Sequence, residues 1–438
     1  MKRASGKTGD IVEWAALGRA ARRRVLQRPQ APHDETFGAQ VAAIIAEVRT
    51  GGDKALFAAT RRFDGVTIEA LEVPRRSWAA ANAALDPELG AALDNAAAQI
   101  EDFHRAGRPT GYRRETWPGL TCAMHYRPLA RVGLYVPGGS APLFSTLLML
   151  AIPASLAGCG EIVVCTPPRR DGEIDPVILA VAARLGVDRL FRIGGAQAIA
   201  ALAYGTETVP CCAKLFGPGN RWVTEAKRQV AADPGGAAID LPAGPSEVLV
   251  LAASGADARF IACDLIAQAE HGPDSQVLLV TDDHALAERV QSEVTARLGC
   301  LPRAAVARAA FAHARWIVVP DLETGLAVSN EYAPEHLILH VPEAERWLDR
   351  VQSAGSVFAG EWTPETLGDY CSGTNHVLPT GGEARRTGAL GVADFMRRMT
   401  SQCATREGLA AAGPTAIALA AAEGLEGHRQ AVAVRLEA

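Results

Sequence analysis

The sequence holds no stripe of clustered lysine and arginine, no C-x-x-C pair, no repeat at a fixed solenoid period and no G-x-G-x-x-G fingerprint. Each absence removes a class of function. With a net charge of -5 and Arg22, Arg23 and Arg24 as the one basic run, nucleic acid is excluded as the main partner, because neutralising phosphates needs cations gathered on one face. That run reads as a solvated helix face. The nine cysteines are odd in number and read as reduced, mostly buried thiols. The charged, glycine-bearing start, Met1 to Asp10, is not followed by the apolar core of a secretion signal, so a cytoplasmic setting is expected. Val132 to Gly160 carries no charge, yet Pro137, Pro142, Pro153 and the Gly138-Gly139 pair interrupt it. It reads as a buried strand, a loop and a buried helix, with no membrane partner.

What is present is ordinary for a globular enzyme: 438 residues, 48% hydrophobic and 21% charged, enough for two or more domains. Up to about residue 128 apolar positions recur at helical spacing, as at Val41, Ile44, Ile45 and at Leu85, Leu89, Leu93, with a β excursion near Val66 to Val73. From Arg131 apolar strands alternate with helices, and Glu247 begins a second run of the same kind. Serial βαβ units predict parallel sheets with helices on their faces, and two doubly wound units is the natural count. Helices are expected from Val392 to the end, too few for a core of their own, so this tail is expected to pack elsewhere, as on a second subunit.

Glycine turns follow three strands of the first run, at Pro137-Gly138-Gly139, Gly194-Gly195 and Gly217-Pro218-Gly219. Such turns either serve tight steric needs or hold phosphorylated cofactors at helix N-termini. Gln268 and His271, three residues apart near a helix end, share a face and suit two metal ligands, although a histidine there also suits a helix cap. Asp369 and His376 flank one loop, and Glu423 and His428 sit near a terminal helix. If these converge, a Gln, two His and an Asp form an oxygen and nitrogen site of the kind expected for exchangeable zinc. Glu335 and His336, just before an apolar strand at the sheet edge where α/β sites gather, offer a carboxylate to activate water and an imidazole to take a proton.

These residues together resemble the histidinol dehydrogenase family. The stretches that carry the likeness are Gly138 to Thr146, Gly194-Gly195-Ala196-Gln197-Ala198, Phe216-Gly217-Pro218-Gly219-Asn220, Ala243 to Val248, Gln268 to Asp274, Ala333 to Leu337 and Ser372 to Thr380. The resemblance implies Gln268, His271, Asp369 and His428 as zinc ligands, the last reaching the site from the partner subunit of a homodimer. It implies Tyr135, Gln197 and Asn220 as contacts to NAD, and Ser246, His376 and Glu423, with the zinc ligands and His336, as holders of L-histidinol. Glu335 and His336 become the acid-base pair of a two-step, four-electron oxidation through bound histidinaldehyde to L-histidine, at the end of histidine biosynthesis. A paralogous zinc and NAD enzyme for another small polar alcohol is the alternative.

The expected fold is α/β, two Rossmann-like doubly wound domains and a small helical C-terminal extension in an intertwined homodimer. Residues 1–24 are expected to form an N-terminal extension, 25–131 with 246–380 a domain carrying zinc and the acid-base pair, 132–245 the NAD-contacting domain, and 381–438 the extension that completes the partner's site.

Overall fold

The computed structural model describes residues 9–29, 36–138, 142–241 and 244–437; Gly139, Ser140, Ala141 and Ala243 of the sequence motifs lie outside these. A short strand β1 (Ile11–Glu13) and helix α1 (Arg19–Val25) precede α2 (Phe37–Phe63), α3 (Arg75–Ala83), α4 (Pro87–Ala106) and a hairpin of β2 (Tyr112–Trp117) and β3 (Leu120–Pro128). Strand and helix then alternate through β4 (Arg131–Tyr135), α5 (Phe144–Ala157), β5 (Glu161–Thr166), α6 (Pro176–Leu185), β6 (Arg189–Arg192), α7 (Gly195–Tyr204), β7 (Lys214–Phe216), α8 (Arg221–Ala232) and β8 (Ala238–Ile239). The second alternation is β9 (Glu247–Ala252), α9 (Ala258–Ala269), β10 (Gln276–Thr281), α10 (His284–Leu298), α11 (Ala304–Phe311), β11 (Arg315–Val318), α12 (Leu322–Tyr332), β12 (His336–His340) and β13 (Ser356–Ala359). The chain closes with α13 (Glu365–Tyr370), β14 (Met396–Ala404), α14 (Arg406–Ala422) and α15 (Glu426–Glu437).

Both alternating runs form parallel sheets, one of five strands in the order β6-β5-β4-β7-β8 and one of six in the order β1-β11-β10-β9-β12-β13. In each, the first strand of the run lies inside, the next two stand on one side and the last two on the other. The order therefore reverses between β4 and β7 and again between β9 and β12, the places where α/β sheets open a crevice. Strands such as β9 and β10 are buried along their whole length and read as apolar runs with polar residues only at their ends, Glu247, Gln276 and Thr281, because helices cover both faces. Aspartates start the helices where the pattern demands it: Asp175 accepts from Val177 N–H at 2.9 Å ahead of Pro176, and Asp257, Asp283 and Asp321 cap α9, α10 and α12. Among the described residues no helix is long and apolar enough to cross a membrane.

Three expectations are corrected. Residues 37–106 pack on the first sheet, not the second: α2 lies on α7 and α8, α3 on α6 and α4 on α5. Their apolar stripes, Val41, Ile44, Ile45 and Val48 on α2 and Leu93, Ala96 and Ile100 on α4, share cores with strands β4 to β7. The N-terminal residues are no mere extension, since β1 pairs with β11 and Trp14 and Leu26 join the core of the second sheet. The third correction concerns 112–128 and 396–404, which were expected to be helical and form an antiparallel sheet β14-β3-β2. Its strands are largely exposed or half-buried, so no apolar face announces them, and β14 finds its partner far away in the chain. The segment near 66–73 is not a regular strand but runs antiparallel beside β6, with Arg192 N–H donating to the Leu71 carbonyl and Val73 N–H to Leu190, each at 2.9 Å.

Candidate active site

A cavity of about 860 Å³ opens at the carboxyl ends of β4 and β7, lined by Tyr135, Gly138, Gly195, Gln197, Asn220 and Trp222 and, from the second unit, by His271 and Arg303. Its walls on the first sheet are mostly backbone and fixed side chains. The Tyr135 hydroxyl accepts from Gly195 N–H at 3.1 Å, and burial pushes its pKa up to about 12. Gln197 is buried against Gly195. Asn220 accepts from Trp222 and Val223 N–H at 3.0 and 3.3 Å, capping α8. Gly217 stands at φ +117°, where a Cβ would run into the Tyr135 carbonyl, so no other residue lets the turn lie this close to β4. Asp64 also lines the cavity; one of its oxygens is buried without a partner, and desolvation raises its pKa to about 6.

Facing this from the second sheet is a buried polar cluster. Glu335 and His336 lie at the amino end of β12, next to Glu247 at the amino end of β9. They grip the same residue: Glu335 Oε2 accepts the Glu247 N–H at 2.8 Å, and His336 Nδ1 is 3.1 Å from the Glu247 carbonyl. The side-chain amide of Gln268, fully buried on α9, lies 3.1 Å from the Glu247 carbonyl, 3.0 Å from Glu365 Oε1 and 2.9 Å from His336 Nδ1. His336 Nε2 has no protein partner and lies 3.9 Å from Asp369 Oδ1. Asp369 Oδ2 in turn lies 3.9 Å from His271 Nε2. His376 is fixed at both nitrogens, its Nδ1–H donating to the Asp369 carbonyl at 2.8 Å and its Nε2 3.2 Å from Thr146 Oγ1 on α5.

Burial sets the protonation of this cluster. Desolvation drives His336 down to about 3 and His376 to about 4, so both imidazoles are neutral. The same cause, reinforced by carboxylates crowding one another, lifts Glu335 and Glu365 well above the usual range, and desolvation lifts Asp369 to about 7. Such crowding of acids in a dry place calls for a cation. His271, Glu365 and Asp369 offer ligand atoms within 4.8 Å of one another, so the donors present fit a zinc ion of the nitrogen and oxygen type. The first-sheet cleft, with glycine turns at two strand ends and space for a large ligand, fits a dinucleotide.

The structure thus brings together Glu335, His336, Gln268, His271, Asp369 and His376, with Ser246 directly before β9 on the same edge and Tyr135, Gln197 and Asn220 across the cavity. It does not bring Glu423 and His428 there within one chain: both are exposed, Glu423 just after α14 and His428 in the first turn of α15, and α14 packs on α15 and on the antiparallel sheet. Glu335 and His336 sit at the amino edge of their sheet, just before and at the start of β12. Sequence reading passed over Glu365, Glu247, Thr146 and Asp64. Glu365 was open to discovery, since it stands four residues before Asp369 and so shares its helical face on α13.

The family model described as Histidinol dehydrogenase matches residues 26–436. A histidinol dehydrogenase of Xanthomonas euvesicatoria pv. vesicatoria is 56% identical over 427 residues, covering 97% of this chain and 99% of the relative. One from Xylella fastidiosa is 55% identical over 426 residues, with the same coverage of 97% and 99%. The crystal structure of histidinol dehydrogenase from Elizabethkingia anophelis is similar with a TM-score of 0.94 at 41% identity, over 99% of both chains.

Proposed function

The chain belongs to the histidinol dehydrogenase family, and from that premise we propose that it takes L-histidinol to L-histidine in two NAD-dependent oxidations with Glu335 and His336 as its acid-base pair. The observation that carries this reading is the buried, neutral His336 whose Nε2 is unpartnered on the edge that faces the glycine-lined cleft.

In the first oxidation His336 Nε2 takes the proton of the primary alcohol as hydride leaves the same carbon. This role requires the tautomer that carries its proton on Nδ1, where it donates to the Glu247 carbonyl at 3.1 Å. NAD, bound beside Tyr135, Gln197 and Asn220, supplies the hydride acceptor in each half. The aldehyde stays in place, which spares the cell a reactive intermediate. Glu335 takes a proton from water as its oxygen adds to the aldehyde carbon, His336 takes a proton from the hydrate, and a second hydride leaves to give the carboxylate.

Gln268, His271 and Asp369 would hold zinc, with the partner subunit's His428 as the fourth ligand. Bound there, zinc supplies a template for the substrate imidazole and amino group and the positive charge that lets the crowded carboxyls ionise. Ser246, His376 and the partner subunit's Glu423 would hold the substrate. Such a division explains an α14–α15 tail that is mostly exposed in one chain, with Leu419 and Val434 open to solvent. An intertwined homodimer would cover it.

The test mixes limiting L-histidinol with excess NAD, following reduced cofactor by absorbance and histidine by chromatography, with and without chelator. Two NADH per histidinol, lost on chelation and restored by zinc, is expected. One NADH would sink the two-step reading, and none would sink the substrate.

A further inference from the structure

Lys227 and Asp240 form an ion pair whose side chains are 3% and 1% exposed, and the chemistry above uses neither. Lys227 projects from the buried face of α8, and Asp240 directly follows β8. The ammonium donates to the Asp240 carboxylate, to the Gly217 carbonyl at 2.9 Å and to the Leu241 carbonyl at 3.3 Å, which uses all three of its protons. The carboxylate accepts the Gly217 N–H at 2.7 Å on one oxygen and the Leu241 N–H at 2.6 Å on the other. Gly217 is therefore held at both its N–H and its carbonyl by one pair of opposite charges. It is also the residue forced to φ +117° beside the Tyr135 carbonyl, at the point where the strand order of the first sheet reverses.

A pair so deep in the protein is a poor device for stability alone, because well-packed apolar residues of similar volume commonly do as well or better. What apolar residues cannot do is hold both polar groups of one peptide in a fixed direction. We propose that Lys227 and Asp240 are positioning residues for the dinucleotide: they lock the turn from Gly217 to Asn220 so that Asn220 and Trp222 face the cavity. This rests on the reading that the first-sheet cleft takes NAD.

Single variants such as Lys227→Met leave one charge buried and unpaired, so the informative variant is the double Lys227→Met, Asp240→Leu, with the isosteric Asp240→Asn as the second. NAD and NADH affinity is measured without substrate, by quenching of tryptophan fluorescence and by equilibrium dialysis, beside the thermal midpoint and zinc affinity. The double variant is expected to melt within about 5 °C of the parent. It should bind NAD about tenfold more weakly or worse, raise KM for NAD more than it lowers kcat, and bind zinc as before. Asp240→Asn should move NAD affinity the same way by less, and it carries the test if the double variant fails to fold. Parental NAD affinity in a folded double variant, or in Asp240→Asn where the double does not fold, overturns the proposal. Asn220→Ala separates the two readings. If it too leaves NAD affinity unchanged, the cleft assignment fails; if it weakens NAD while the pair variants do not, the positioning role alone fails.

Discussion

The two parallel sheets share a strand order and differ in the edge they turn to the cleft. The first meets it at the carboxyl ends of β4 and β7, with glycine turns, a capped helix start and a buried tyrosine hydroxyl held by a backbone N–H. The second meets it at the amino ends of β9 and β12, with carboxyls and imidazoles stacked in a dry cluster. A carboxyl edge with glycine turns suits a large ligand bound through peptide groups. At the amino edge of the second sheet Glu335 Oε2 and His336 Nδ1 lie 3.7 Å apart. Both are anchored on Glu247, one on its N–H and the other on its carbonyl, while His336 Nε2 has no protein partner. The same architecture thus presents peptide groups at one edge and a packed set of titratable side chains at the other.

The largest expected break in that symmetry is His336→Asn, which should lower kcat for both oxidations by about 10² to 10⁴-fold while leaving NAD affinity unchanged. Equal damage to NAD binding would show that the two edges are not separable. Glu335→Gln should fall chiefly on the second half-reaction, read by single turnovers started from the alcohol and from the aldehyde. Next in size is complementation: His336→Asn and His428→Ala chains, each inactive alone, should recover about a quarter of parental activity when co-refolded, because half the dimers are mixed and one of their two sites is intact. No recovery would mean that His428 does not act in the partner's site. The smallest effect belongs to Asp64, on the peptide-group edge. Its pKa, raised from 3.8 to about 6 by burial, gives stability that is whole below the unfolded value and lost as pH rises through about 6. Asp64→Asn should therefore match the parent near pH 3.5 and exceed it at pH 8 by at most about 1 to 2 kcal/mol once solvent screening is allowed for. Urea unfolding at the two pH values reads this, and a gain at low pH would refute the assignment.

Much of this was legible in the sequence. The alternation from Arg131 to Phe358 named nearly every parallel strand because a strand covered on both faces is largely apolar, and the residues of the buried polar cluster stood in recognisable stretches. The missing parts share a cause. The hairpin at 112–128 and its partner β14 have little apolar patterning, since their strands are exposed or half-buried, and β14 meets β3 from far along the chain. The packing of α2 to α4 on the first sheet is a choice between two similar apolar surfaces, which periodicity cannot make. Glu365 showed only through its spacing from Asp369 on α13, and its burial, which comes from elements far away in the chain, did not show.

The short segments at the rims of the sheets bear on behaviour in a crowded cell. Residues 11–13 lie parallel along β11, with the Gly9 carbonyl tied to the Gln291 side chain at 2.9 Å, and residues 71–73 lie along β6. Without them each sheet would offer an open row of peptide groups to any strand that passed. These few residues each cover one edge of a sheet. Damage to them would surface as precipitation of chains whose clefts are still intact.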